Sequence, residues 1–331
     1  MTMLSPDTSF SQDDDYDLLL YETLSYDSLL LDELAKDSLS ILDLIDSLLF
    51  TDFRFSSLMF RASYVSDIMN AGRDFGVKQY GFSAGLSYYH KTGLFADITS
   101  YWNSNIEPHI NPTTFTLGYM GTITPSWNYI ASYDHFYYSK NELNDFASYP
   151  ITNSLSISSY VDIKFLSIGV DYAFLFGTEQ AHRIRPNIYG TIRIKEAGFI
   201  DEIDIYPSAG ILLGNSTIYY LSENYQEVQS YIHNIGGWEQ YQRFRRNYPN
   251  LANHTISSLI TYDEEIKNVF GIMNYSFSIP VMIRKGYFTL SAGYYINFPV
   301  PLRGEEIDLN PNSYYNIACL YSIPFKSRKK K

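Results

Sequence analysis

Apolar and polar residues alternate one for one through the last two segments of the chain, from Gly286 to Phe325. In the first segment the apolar set is Phe288, Leu290, Ala292, Tyr294, Ile296 and Phe298. In the second segment it is Tyr315, Ile317, Cys319, Tyr321, Ile323 and Phe325. Because successive side chains of a strand point to opposite faces, this period of two predicts two strands with one apolar face each.

The same alternation recurs upstream and predicts twelve strands in all. Their predicted bounds are 55–65, 79–89, 94–103, 113–122, 127–138, 154–163, 166–176, 183–194, 204–214, 267–279, 286–298 and 314–325. Each is about long enough to cross a bilayer when tilted, for which about 9 to 11 residues suffice. A water-soluble sandwich would alternate in the same way locally, but the number and length of these segments favour a closed barrel.

The predicted connections alternate between short and long. The short ones are 90–93, 123–126, 164–165 and 284–285, with a somewhat longer link after Ile194, and the long ones are 66–78, 104–112, 139–153, 177–182, 215–266 and 299–313, of which 177–182 is the shortest. In an antiparallel barrel alternate connections lie at opposite ends, so the short turns are expected at one end and the long loops at the other. Short periplasmic turns opposite long extracellular loops are typical of bacterial outer-membrane barrels.

The composition supports a membrane barrel. Aromatic residues make up 17% of the chain, with 32 tyrosines, whose apolar ring and polar hydroxyl suit a membrane–water interface. No run of about 18 apolar residues occurs, so the sequence predicts no spanning helix. The mean hydropathy of -0.18 agrees with a barrel, whose polar side chains face inward.

The negative charge is concentrated at the N-terminus. Residues 1–50 contain 12 acidic residues and one basic residue, Lys36, so this stretch carries almost all of the net charge of -12. Residues 1–11 are interpreted as the remnant of an export signal or as a disordered terminus. Residues 12–52 are predicted to form an acidic, Leu-rich periplasmic extension that is helical or disordered. Nucleic acid is not an expected partner, because no basic stripe with interleaved aromatic residues occurs.

Residues 53–325 therefore resemble a Gram-negative outer-membrane β-barrel, an all-β, closed, antiparallel transmembrane fold whose last strand ends in an aromatic residue, here Phe325. The basic tail 326–331 departs from that pattern. The resemblance implies an outer-membrane location with both termini in the periplasm, and contact with membrane lipid, with lipopolysaccharide as a further lipid partner. A periplasmic or outer-membrane protein partner could bind through 13–50 or 215–266.

The predicted register points charges of both signs into the barrel. The predicted lumen-lining residues are Arg61, Asp97, Asp134, Asp162, Lys164, Asp171, Arg185, Arg193 and Lys195. One interpretation is a narrow porin-like channel for small polar or anionic solutes. The other is that these charges pair and close the pore, which would leave a structural or partner-docking barrel.

Residues 215–266 are predicted to carry a helical insert in one extracellular loop, because a structureless loop of this length is unusual. Apolar residues from Ile218 to Ile232 fit one helical stripe, and Gly236 and Gly237 separate it from a second helix. The candidate cap or partner-docking residues are Trp238, Tyr241, Phe244 and Arg245.

An outer-membrane lipase or protease is the third alternative. It would need a serine and a histidine together at the lipid-facing rim, but the pattern His-x-Ser is absent, and Asp134 and His135 are adjacent and so face opposite ways. The other histidines have no metal-ligand spacing, and the only cysteine, Cys319, is predicted to face outward. We therefore expect no enzyme activity, no metal and no cofactor.

Overall fold

The computed structural model of the protein describes residues 55–69, 71–73, 78–104, 109–139, 151–224, 226–259, 261–305 and 309–325. Its fold is dominated by fourteen β-segments in one sheet. They are β1 (Ser57–Val65), β2 (Gly81–Tyr89), β3 (Leu94–Asn103), β4 (Ile110–Thr124), β5 (Trp127–Tyr137), β6 (Ile151–Ile163), β7 (Leu166–Gly177), β8 (Gln180–Gly190), β9 (Ile192–Ala197), β10 (Ile200–Ile205), β11 (Ser208–Asn224), β12 (Thr261–Lys285), β13 (Phe288–Pro299) and β14 (Asn312–Pro324).

These segments form a closed antiparallel barrel of twelve wall strands, as the sequence predicts. Thr191 separates β8 from β9, and Tyr206 and Pro207 separate β10 from β11, so each of these two pairs is one interrupted strand. Proline has no backbone N–H to donate, so the ladder is interrupted at Pro207. β1 pairs with β14, and β11 pairs with both β8 and β12, which closes the sheet on itself. Every wall strand therefore has two neighbours, which a bilayer requires.

The predicted alternation of faces is confirmed along the strands. In β14, Tyr315, Ile317, Cys319 and Tyr321 are exposed and face outward, whereas the inward-facing Ala318 between them is buried. In β1 the outward Phe60 is exposed, and its inward neighbours Met59 and Arg61 are buried.

Short turns lie at one end of the barrel, at 90–93, 125–126, 164–165, 198–199 and 286–287, whereas the opposite end carries the longer connections and one two-residue turn, 178–179. The chain enters β1 and leaves β14 at this same end, where the Phe325 N–H donates to the Ser56 carbonyl over 2.7 Å. We call it the short-turn end and the opposite one the long-loop end.

Outward aromatic side chains gather near both ends. At the long-loop end the ring centroid of Phe82 lies 5.1 Å from that of Tyr64 and 5.6 Å from that of Trp102. At the short-turn end Phe288 contacts Tyr321 over 5.0 Å. Tyrosine and tryptophan at these levels are what a membrane interface favours. Tyr101, next to Trp102 in β3, does not join this group, because it has the inward parity of the strand and is buried.

The chain divides into two compact units. The barrel unit contains residues up to Gly214 together with 272–301 and 307–331, and the second unit contains 215–271 and 302–306. The second unit carries three helices, α1 (Gln226–Asn234), α2 (Trp238–Asn247) and α3 (Pro249–Leu259). None of the helices in the described residues is long and apolar enough to cross a membrane.

The helical insert begins later than the apolar stripe predicts. Residues 218–224 continue β11, and the first helix starts only at Gln226. Over so few residues an apolar pattern fits a strand as well as a helix. Pairing with the neighbouring strands therefore determines that Ile218 and the residues after it extend β11. The break at Gly236 and Gly237 is where the sequence places it, and the third helix, α3, is not predicted.

Candidate functional site in the barrel interior

The inner face of β1 to β3 is held together by a buried charged network. The Arg61 Nη2 atom lies 3.1 Å from Asp97 Oδ1 and donates to Thr99 Oγ1 over 2.5 Å. Thr99 and Ser87 hydroxyls also donate to the Asp97 carboxylate. The side chains of Arg61 and Asp97 are 2% and 1% exposed. With so little exposure and so many mutual hydrogen bonds, these two side chains are almost closed to solvent.

The next strands continue this packed wall. Thr116 of β4 donates to Asp134 of β5 over 2.8 Å, and both side chains are buried. On β6 the inward Ser154 and Ser156 hydroxyls lie 3.1 Å apart and are also buried. We call the inner face of β1 to β6 the packed wall.

Two acidic side chains lie where the packed wall meets the rest of the barrel. Asp162 accepts from Ser167 over 2.5 Å and from Asn128 over 3.3 Å. Asp171 accepts from the Tyr160 hydroxyl and, over 2.8 Å, from Asn187. Both carboxylates are only partly buried, so water reaches this sector of the interior.

The remaining sector of the inner face is polar and half-buried. It carries two arginines on β8 beside small hydroxyl side chains on the strands that follow. Its members are Arg183, Arg185, Asn187, Ser208, Ser276, Ser278, Ser291 and Asn316. We call this set the accessible strip. Arg185 lies directly opposite Asp171 in the β7–β8 register, and the Ser208 and Ser278 hydroxyls lie 2.6 Å apart.

A segment of the first long connection folds into the long-loop end of the interior. This segment, residues 66–69 and 71–73, is called the strap. Ile68 and Met69 are 5% and 1% exposed, and they belong to one apolar cluster with inward side chains from several strands. Those side chains are Val65, Tyr101, Phe136, Tyr138, Ile151, Leu175, Ala181 and Tyr314. The strap therefore narrows the interior at this end.

An asparagine ladder fastens the strap to the wall. Asn274 donates to Asn297 over 2.9 Å, Asn297 donates to Asn312 over 3.1 Å, and Asn312 donates to the Gly72 carbonyl over 2.8 Å. Arg73 Nη2 also donates to the Val300 carbonyl over 3.1 Å. Gly72 has a φ of +76°, and a Cβ atom there would lie 2.0 Å from the Asn274 amide nitrogen, so only glycine fits.

A second apolar cluster lies near the short-turn end of the interior. It is formed by inward side chains near the ends of their strands, namely Met59, Tyr89, Phe95, Met120, Ile130, Tyr160, Tyr189, Ala318 and Leu320. The packed wall thus lies between two apolar clusters.

Three predicted lumen residues lie at the margin of the interior. Lys164 is exposed in the two-residue turn between β6 and β7, rather than on an inner face, and has a φ of 60°. Arg193 and Lys195 belong to the β9–β10 hairpin, which extends beyond the end of β7, and both are exposed. Arg193 pairs with Asp204 over 2.8 Å and with Glu202 over 2.9 Å.

The candidate docking residues of the insert lie on α2. Trp238 is 58% exposed and contacts Tyr241 over 5.3 Å, whereas Tyr241 is only 5% exposed and packs inside the second unit. Phe244 is half-buried, and Arg245 is exposed. Trp238 and Arg245 are thus the surface members of this set, and Tyr241 is a core member.

Sequence reasoning missed the strap, the asparagine ladder and the serines of the accessible strip. The adjacent apolar pair Ile68 and Met69, between Asp67 and Asn70, was the available signal for the strap. Nothing in the pattern marked the ladder, because its members come from three strands and meet only through the register.

No family model matches the chain, and no curated protein matches it either. Among solved structures it is similar to the KdgM porin, with 9% identity and a TM-score of 0.40, covering 81% of this chain and 99% of that one. The NanC porin matches with 10% identity and a TM-score of 0.38, covering 80% and 98%. LpxR from Salmonella typhimurium matches with 11% identity and a TM-score of 0.39, covering 80% and 99%.

These similarities carry no conclusion about activity. The fold is a closed twelve-strand antiparallel barrel, and no specific family within that class is shown.

Proposed function

We propose that this outer-membrane barrel is a narrow, porin-like channel for small polar solutes, with a preference for anions. The observation that carries the proposal is the contrast between two parts of the inner face. Polar side chains of the accessible strip are partly exposed to solvent, whereas those of the packed wall are buried. Arg183 and Arg185 place two positive charges along this strip, and the strands that follow contribute short serine side chains that are also half-buried. Positive side chains along a narrow path favour anions.

We also propose that the short-turn end lies in the periplasm and the long-loop end outside the cell. Short periplasmic turns and longer external connections are the arrangement found in bacterial barrels. Both termini would then be periplasmic, and the extension 12–52, which lies outside the described residues, would be periplasmic too.

Planar-bilayer recording tests the channel. The wild-type barrel should conduct, and its reversal potential in a KCl gradient should indicate anion preference. Arg185→Gln should reduce that preference, because it removes one positive charge from the strip. Lys285→Gln, at an exposed position with outward parity on β12, is the matched control and should leave the barrel's selectivity unchanged. A wild-type barrel that is correctly folded but carries no current would refute the proposal.

The second candidate function is a non-conducting structural or partner-docking barrel, and the strap is the observation that favours it. Its anchored position narrows the interior at the long-loop end, and a second apolar cluster lies near the short-turn end. The same recordings separate the two, because a closed scaffold carries no current until the strap is displaced.

For α2 we propose a docking role in which Trp238 and Arg245 contact the partner and Tyr241 and Phe244 support the helix. Exposed tryptophan and arginine are the side chains most enriched at binding hot spots. Trp238→Ala and Arg245→Ala should each weaken the binding of a protein that co-purifies with the wild type. If both variants retain that protein as well as the wild type does, the docking role is refuted.

Within the described part of the chain no group of three or more His, Cys, Asp or Glu side chains could hold a metal ion, which bears on a metal-dependent enzyme and not on a serine lipase or protease.

A further inference from the structure

The hairpin formed by β9 and β10 leaves one strand edge without a neighbour. β9 continues β8 past the end of β7, whose pairing with β8 stops where Leu166 lies opposite Gly190. On its other side β9 pairs with β10, and β10 pairs with β12. Among the described residues no strand pairs with the side of β9 that faces away from β10, and β9 is therefore the last strand in the order of the sheet. We call this side of β9 the open edge.

The backbone of β9 presents hydrogen-bonding groups to the open edge. The Thr191 N–H donates to the Phe165 carbonyl of the β6–β7 turn over 3.0 Å, so Thr191 directs its backbone to that side. Alternate residues of a strand direct their backbone groups the same way. Arg193 and Lys195 therefore direct their N–H and C=O groups to the open edge, where a further strand can pair with them.

The side chains of β9 disfavour pairing with a second copy of the same strand. Ile192 and Ile194 lie on one face and Arg193 and Lys195 on the other, and all four are exposed. Two antiparallel copies whose faces match would bring basic side chains directly opposite each other in every well-overlapped register, and like charges in that position are destabilising. Lys195 has no ion pair within the described part of the chain, so the open edge favours an acidic strand.

β10 shows which sequence complements β9. Its residues 202–205 alternate between acidic and apolar, and they lie opposite Lys195, Ile194, Arg193 and Ile192 in that order. The same alternation of acidic and apolar residues occurs once within the N-terminal extension 12–52, at residues 15–18, which read Asp-Tyr-Asp-Leu. These residues lie outside the described part of the chain, but their sequence meets the requirement that β9 sets.

The extension is long enough to reach the open edge. The chain enters β1 at the short-turn end, and the turn of the β9–β10 hairpin lies at the same end. In the order of the sheet β9 and β1 are separated by β10, β12, β13 and β14, so five strand spacings of about 4.8 Å put them about 24 Å apart along the wall. About eight extended residues cover that distance, and residues 19–56 are available for it.

We propose that residues 15–18 add a short strand to the open edge of β9, antiparallel to β9 and in the register that β10 uses on the other side. Asp15 then lies opposite Lys195, Tyr16 opposite Ile194, and Asp17 opposite Arg193. The added strand fastens the acidic extension to the short-turn end of its own barrel. It depends neither on conduction nor on which end is periplasmic, because the hairpin and the start of β1 lie at the same end.

Disulfide trapping in the full-length protein tests the added strand. In a Cys319→Ser background, Tyr16→Cys and Ile194→Cys place two thiols at a non-hydrogen-bonded pair, whose Cα atoms would lie about 4.5 Å apart, within reach of a disulfide. Mild oxidation should link them within one chain and change its gel mobility until a reducing agent is added. The control combines Tyr16→Cys with Tyr287→Cys, at an exposed turn of the same end, and should give much less of the linked form.

Charge reversal tests the pairing of the added strand with β9. Lys195→Glu in the trapping background places a carboxylate opposite Asp15, and the yield of the disulfide should fall about fivefold, the order expected from one cross-strand charge pair. Asp15→Lys in addition should restore most of the yield. A change in the extension could not restore it if Lys195→Glu acted only by disturbing β10.

Three results would overturn the added strand. The first is a yield with Ile194→Cys no higher than with Tyr287→Cys, and the second is the absence of rescue by Asp15→Lys. The third is a disulfide between two chains, which would assign the open edge to a second copy.

Hydrogen exchange replaces trapping if the cysteine variants do not fold, judged by gel mobility with and without heating. Peptides that cover β9 should exchange more slowly in the wild type than in the variant Asp15→Lys with Asp17→Lys. Equal exchange in the two proteins would refute the added strand, and if both are slow the open edge belongs to another partner.

Discussion

Replacement of Asp97 by leucine tests whether the Arg61–Asp97 network is structural. The change leaves the Arg61 guanidinium, at 2% exposure, without its carboxylate, and removes the acceptor of the Ser87 and Thr99 hydroxyls. Breaking one partner of a buried ion pair costs about 3–5 kcal/mol. We expect the Asp97→Leu barrel to lose about that much unfolding free energy.

The double variant Arg61→Met with Asp97→Leu supplies the matched comparison. It removes both charges, so most of the loss should be regained, and the coupling between the two positions should reach about 2 kcal/mol or more. Urea unfolding in phospholipid vesicles, followed by tryptophan fluorescence, measures both variants, and the conductance of the double variant should match the wild type. If the double variant is as unstable as Asp97→Leu, or if it changes the selectivity of the current, Arg61 and Asp97 are not confined to a closed wall.

The other predictions concern the strap, the wall and the thiol. Asn297→Ala interrupts the ladder that anchors Gly72, so single-channel conductance should rise, and Asn128→Ala at the other end of the barrel should not raise it. Ile68→Ser should cost about 2–4 kcal/mol of stability in urea titration, because it removes a buried apolar side chain from the cluster around the strap; an unaffected midpoint would show that the strap does not pack in the mouth. Gly169→Val should destabilise the barrel, since a Cβ there would lie 2.4 Å from the Tyr160 ring, and refolding yield in vesicles that equals the wild type would contradict this. Cys319, exposed on the outer face, should react in vesicles with a membrane-permeant maleimide and much more slowly with a charged one, and equal rates would place it in water.

The sequence predicts the wall of this protein well, because alternation reports directly on which side chain faces out of the barrel. The twelve strands, the outward face of Cys319 and the inward faces of Arg61, Asp97 and Asp134 all follow from that period. The interruptions at Thr191 and Pro207 do not, since a one-residue break hardly alters a pattern of alternation.

The interior is harder to predict because it is assembled across strands. Arg61 and Asp97 are 36 positions apart, and their pairing depends on the β1–β2–β3 register, which alternation alone leaves open. The same reason hides the ladder from Asn274 to Asn312. Lys164 shares the polar character of the lumen residues, but its place in a turn removes it from the inner face. The continuation of β11 over 218–224 was hidden because a short apolar stretch fits a strand and a helix equally well.

Thiol reactivity along the inner face tests the location of the water path most directly. In a Cys319→Ser background, Ser278→Cys and Ser291→Cys place a thiol on the accessible strip, and Ser87→Cys and Ser158→Cys place one on the packed wall. A charged methanethiosulfonate should react quickly with the first pair and reduce the current, and it should leave the second pair unmodified. Equal reactivity of the four positions, or modification of the strip with no effect on the current, would contradict a path along β8 and β11 to β14.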